Sequence, residues 1–88
     1  MTGEAEYDVE IVIKNKSIVK DPEGETILRD LFHRGGYDVV KSARTGKLIS
    51  LRVEATDEGE AERVVRDMCN ELRIYNPVIH TLNIKVKP

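Results

Sequence analysis

The sequence predicts a small α+β sandwich, a four-stranded antiparallel sheet with two helices on one face. Three breaks point to it: Asp21-Pro22-Glu23-Gly24, Thr45-Gly46-Lys47 and Asn76-Pro77-Val78-Ile79. Each falls where the hydrophobic period changes, and together they give the order strand, helix, strand, strand, helix, strand.

In residues 7–14 the apolar Tyr7, Val9, Ile11 and Ile13 alternate with Asp8, Glu10 and Lys14. Period two with one polar face predicts a half-buried strand. After a polar connection, Asp21 is placed to accept a hydrogen bond from the free N–H groups of a helix start, and Pro22 suits the first helical position. Glu23 and Glu25 fall near the positive end of that helix dipole. Ile27, Leu28, Leu31 and Phe32 form one apolar stripe, and Arg29, Asp30, His33 and Arg34 form the wet side. Gly35-Gly36 stops the helix.

Residues 37–44 and 47–54 are predicted as two strands joined by a hairpin around Thr45-Gly46. In the second, Ile49, Leu51 and Val53 make the buried row and Ser50, Arg52 and Glu54 the opposite one. Asp57 and Glu60 have capping-box spacing. Ala61, Val64, Val65, Met68, Cys69 and Leu72 then follow with the spacing of an amphipathic helix. Asn76-Pro77 closes the next connection, because proline pushes its predecessor out of helical conformation. Val78, His80, Leu82, Ile84 and Val86 alternate with Thr81, Asn83, Lys85 and Lys87 as a last strand.

This order, with short connections, is that of a ferredoxin-like βαββαβ sandwich. Residues 37–44 and the last strand are expected at its edges. Such a sheet leaves one face and two edges open, and the physical expectation is a homo-oligomer that covers them. Residues 1–88 are read as a single domain, small enough to gain stability by associating.

The balance of 14 Lys and Arg against 16 Asp and Glu gives a net charge of -2, without the basic excess of a nucleic-acid coat. Aromatic residues are 5% of the chain, too few for a base-stacking platform. The single cysteine forms no intrachain disulfide and has no histidine at metal spacing. Residues 1–6 read as polar and acidic, not as a basic segment followed by an apolar one, and no apolar run is long enough to span a bilayer. These features predict a soluble, cytoplasmic chain.

No catalytic constellation is visible. Cys69 lies on an apolar stripe and reads as a buried structural thiol. His33 reads as a surface residue. His80 falls on the inward row of the last strand, as a hydrogen-bonded, part-buried side chain or an interface residue. Asp57, Glu58, Glu60 and Glu62 complement a helix dipole more simply than they hold a metal. Lys41, Arg44 and Lys47 are the one concentrated positive feature, suited to a solvated turn or an acidic surface.

With these residues in place, the chain resembles the PurS family, the small subunit of phosphoribosylformylglycinamidine synthase, over residues 7–86. The resemblance rests on Asp21-Pro22-Glu23-Gly24, Gly36-Tyr37, Arg44-Thr45-Gly46-Lys47 and Met68-Cys69-Asn70-Glu71-Leu72 leading to Asn76-Pro77-Val78-Ile79. It implies a noncatalytic role in purine synthesis. A glutaminase subunit releases ammonia, a larger ATP- and Mg-dependent synthetase subunit consumes it, and the small subunit bridges the two as a homodimer or dimer of dimers. The chain itself is expected to bind no cofactor. The family pattern usually has an acid directly after Asn-Pro-Val-Ile, where this chain has His80.

The residues expected to touch partners are Arg44, Gly46 and Lys47 in the hairpin, with Asn76, Pro77, Val78 and Ile79. Turn chemistry alone also selects several of them. The alternative is an ACT-like regulatory module that binds a small molecule. It would be expected to carry a glycine-bearing loop after the first strand, and residues 14–20 contain no glycine. An RNA-binding sheet would need exposed aromatics at Glu10, Val12, Ser50 or Arg52.

Overall fold

The computed structural model describes residues 4–87; Met1–Gly3 of the polar amino-terminal stretch and Pro88 lie outside it. The elements are β1 (Ala5–Asn15), α1 (Pro22–Thr26), β2 (Gly46–Ala55), α2 (Glu58–Glu71) and β3 (His80–Lys87). α1 runs directly into wider π-type turns over Ile27–His33. The sheet is antiparallel with order β2-β1-β3. No helix among the described residues is long and apolar enough to cross a membrane.

β1 forms because its alternation matches the pleat. Val9, Ile11 and Ile13 are buried, face α2 and sit opposite Leu51, Ile49 and Lys47 of β2. α2 starts at Asp57, whose carboxylate accepts the N–H of Glu60 at 2.8 Å. Glu60 in turn accepts from the N–H of Thr56, closing a capping box one residue wider than the usual one. Ala61, Val65 and Cys69 on one face of α2 meet the β1 row, and with Ala55 they complete the buried core. α2 ends in a Schellman turn, with the N–H of Ile74 donating to the carbonyl of Cys69 at 3.1 Å and Arg73 at φ 53°.

The sheet and the helices each depart from expectation. The sheet of the described residues has three strands, not four, because residues 37–44 join no ladder. Their polar groups are taken up locally. Tyr37 N–H donates to Phe32, Val40 N–H to Tyr37, and the His33 ring reaches the carbonyl of Val40 at 2.7 Å. The Thr45-Gly46 hairpin is therefore absent, and Gly46 opens β2 directly. The last strand likewise begins at His80 rather than Val78, because the carbonyl of Asn76 captures the N–H groups of Ile79 and His80.

The second correction concerns the helices, which do not share one face of the sheet. α2 packs on all three strands, whereas α1 and its π continuation pack on neither the sheet nor α2. Residues 22–45 leave the domain as an arm. The radius of gyration is 17.0 Å, against about 12 Å for a compact chain of this length. The predicted stripe of Ile27, Leu28, Leu31 and Phe32 is there, but Leu31 is 64% exposed and no residue of the π segment is buried.

One helix is about 10 Å across and cannot roof three strands. Only the central β1 is fully covered, while Ile49, Leu51 and Val53 of β2 stay part-exposed. Arm and sheet thus each carry an uncovered apolar face.

Candidate partner-binding site

The three sequence breaks meet at one end of the sheet. Asp21 accepts the N–H of Gly24 at 3.1 Å, which caps α1 as expected. The same carboxylate accepts the N–H of Thr45 at 2.5 Å and its hydroxyl at 3.0 Å, so the arm leaves and returns at one point. The Asp21 carboxyl is held below the ordinary aspartate range, first by the Thr45 N–H and next by that of Gly24, while burial opposes the shift. Gly24 is required here because a Cβ would overlap the carbonyl of Ala43. Arg44 donates to the carbonyls of Val19 (2.6 Å) and Lys16 (3.1 Å), fastening the preceding loop to the same junction.

The second half of the site is the turn before β3. The side chain of Asn76 accepts the N–H of Val78 at 2.9 Å, and Nδ1 of His80 accepts the N–H of Asn76 at 3.0 Å. The N–H of Lys16 donates to the carbonyl of Ile79 at 2.8 Å, which ties this turn to the loop that Arg44 holds. Residues 16–20, 44–47 and 76–80 therefore form one continuous surface.

The predicted residues divide by task. Arg44 and Asn76 spend their polar groups on backbone inside the molecule. Gly46 lets two strands approach, since a Cβ there would meet the Lys14 side chain at 2.6 Å and the carbonyl of Ile13 at 2.8 Å. Pro77 is exposed within the turn. Lys47 and Val78, the latter 75% exposed, project outward, and Ile79 is more than a third exposed. Ile18 beside them is 89% exposed.

Sequence reasoning missed Lys14 and Arg73 at this end and the long-range bonds of Asp21. Its inward reading of His80 matches the part-buried, hydrogen-bonded ring. His33, expected at the surface, is instead part-buried and fastens the end of the π segment to Val40.

Two hollows meet across this end. One, of about 320 Å³, runs past Lys14, Lys47 and Thr45, with Glu23 at its side. The other, of about 570 Å³, lies between Arg73, Tyr75 and Pro77. Ile74 and His80 line both. Among the described residues no carboxylate comes within salt-bridge distance of Lys14, Lys47 or Arg73.

Elsewhere, Cys69 is fully buried, and desolvation pushes its thiol up. Among the described residues no group of three or more His, Cys, Asp or Glu is arranged to hold a metal ion.

Comparison with known proteins agrees in family. A model of the PurS family, described as phosphoribosylformylglycinamidine (FGAM) synthase, matches residues 8–88. The subunit PurS of phosphoribosylformylglycinamidine synthase from Methanocaldococcus jannaschii is 40% identical over 81 residues, spanning 92% of this chain and 95% of that protein. The crystal structure of the Thermotoga maritima purS subunit superposes with a TM-score of 0.85 at 36% identity, covering 96% of this chain and 94% of that one. A chain of the T. maritima PurLQS structure is also 36% identical, with a TM-score of 0.83, and covers 94% of this chain and 99% of that one.

Proposed function

The chain belongs to the PurS family of phosphoribosylformylglycinamidine synthase, and from that premise we propose that it is the noncatalytic assembling subunit of that enzyme in purine biosynthesis. It bridges the glutaminase and synthetase subunits so that ammonia passes between them. ATP and Mg²⁺ belong to the synthetase subunit, and this chain holds neither. It works in the cytoplasm, away from membrane and nucleic acid.

The observation that carries this reading is the pair of uncovered faces, one on the arm and one on the sheet. Each fully buried Leu or Phe contributes about 1.5–3 kcal/mol, so a chain that leaves Leu31 and Phe32 outside its own fold is built to associate. The first association is with a second copy. The arm of one copy lays its stripe beside α2 on the sheet of the other, and residues 37–44 reach the free edge of β2. That exchange supplies the fourth strand and second helix of the ferredoxin-like sandwich, as a homodimer or a dimer of dimers.

Sedimentation of the chain with the matching glutaminase and synthetase under turnover conditions tests the proposal. A boundary heavier than either pair, formed only when all three are present, is expected. Boundaries unchanged by the chain would overturn it.

A further inference from the structure

We infer that the free edge of β3 is a contact between copies: two β3 strands pair antiparallel about Ile84 and join two sheets into one. The inference uses no part of the assembling role. It names the second contact of a dimer of dimers, the first being the arm exchange.

Backbone direction selects the residues. Lys16 and Ile79 continue the register in which Asn15 is opposite His80, and the N–H of Lys16 donates to the carbonyl of Ile79 at 2.8 Å. Peptide groups alternate in direction along an antiparallel strand. Those of Thr81, Asn83, Lys85 and Lys87 therefore face β1, as that of Ile79 does. Leu82, Ile84 and Val86 turn their N–H and C=O groups outward, and the order β2-β1-β3 leaves that edge open. His80 would extend the set, but the carbonyl of Asn76 holds its N–H at 2.7 Å. With Ile84 set against Ile84 of a second copy, Leu82 meets Val86 and every outward group is paired.

The side chains agree with this register. Leu82, Ile84 and Val86 lie opposite Ile13, Ile11 and Val9, so they share the α2 face of the sheet, where they are only part-buried. Pairing continues that apolar row across the seam. On the other face Lys85 comes opposite Asn83, and Lys87 opposite Thr81. Lysines on an edge normally deter pairing, and here they deter the wrong registers. Centring on Lys85 or Val86 would set lysine against lysine, and centring on Asn83 or Leu82 would call on the engaged N–H of His80.

The two flanks of α2 show why the arm does not take this edge. Beside β3, Glu58 and Glu62 border a hollow of about 320 Å³ with Ile84 and Val86. Glu62 is already paired with Arg66 at 3.0 Å. Val64 is about 200° round the helix from Glu62, so it faces the β2 side, where it lines a hollow of about 430 Å³ with Met68 and Leu72. The apolar stripe of an arm suits the Val64 flank, which leaves β3 free. The edge is its own complement in hydrogen bonds, apolar row and charge, so its occupant is a second copy. Such an isologous contact is satisfied by one partner and does not propagate by itself.

Sedimentation of the intact chain tests the contact, with circular dichroism in parallel. Ile84→Pro removes an outward N–H and no bond to β1, and proline is tolerated on an edge strand. Asn83→Lys sets a second cation against Lys85 of the other copy, and Asn83→Lys/Lys85→Glu restores opposite charges there. Wild type is expected at the mass of four chains, Ile84→Pro and Asn83→Lys at half of it, and the double variant at the full mass again, all with unchanged secondary structure. A mixture of Asn83→Cys and Lys85→Cys chains is expected to cross-link with oxidised glutathione, and neither chain alone. Full mass in both Ile84→Pro and Asn83→Lys would overturn the inference, as would a mixture that does not cross-link. Ile84→Pro that keeps its mass but no longer binds the glutaminase or synthetase would also overturn it, by giving the edge to a partner subunit. Each of these outcomes leaves the assembling role standing, because that role is read from glutamine-driven activity.

Discussion

Asp21 and Thr45 stand 24 residues apart in sequence, yet one carboxylate accepts both the backbone N–H and the hydroxyl of the threonine. Everything between them is the arm. The bond fixes the direction in which the arm leaves the sheet, and hence where its apolar stripe can meet another copy.

The junction carries a pH signature. The folded-state pKa of Asp21 lies below its ordinary value, so its stabilisation is complete above the unfolded value of about 3.9 and is lost as pH falls through the folded value. Urea midpoints of wild type and Asp21→Ala, compared at one protein concentration, are expected to differ by a constant gap at neutral pH. That gap closes at strongly acidic pH. A gap that persists unchanged into strong acid would contradict the assignment.

Arg73→Gly removes the left-handed strain at the end of α2. It is expected to raise stability by about 0.5–1 kcal/mol, readable as a melting temperature a few degrees higher. A melting temperature no higher than that of wild type would contradict the strain.

Charging the arm separates association from folding. Leu31→Glu with Phe32→Glu alters side chains that touch no sheet strand of their own chain, so secondary structure is expected to persist while sedimentation falls to half the wild-type mass. An oligomer of wild-type mass would show that the arm does not mediate self-association.

Much of this molecule was legible in sequence where one local rule governed. β1 alternates cleanly, and α2 carries both its stripe and its capping box. The first helix was legible as a helix but not in its placement. A stripe such as Ile27, Leu28, Leu31 and Phe32 says that something must cover it, not whether that is its own chain. Residues 37–44 looked like a strand because Tyr37 and Val39 alternate, but their hydrogen bonds go to Phe32 and His33 close by. At the candidate site, Asp21 was legible as a cap. Capping already accounted for it, and its bonds to Thr45 left no separate mark. Gly46 looked like a turn residue, whereas the closeness of Lys14 and Ile13 is what requires it. Lys14 and Arg73 join the site only through register and the Schellman turn.

The most direct measurement compares glutamine-driven with ammonia-driven amidine formation by the matching glutaminase and synthetase, with and without this chain. The assembling role predicts that glutamine-driven activity depends on the chain while ammonia-driven activity scarcely changes. Equal glutamine-driven activity in its absence would contradict it.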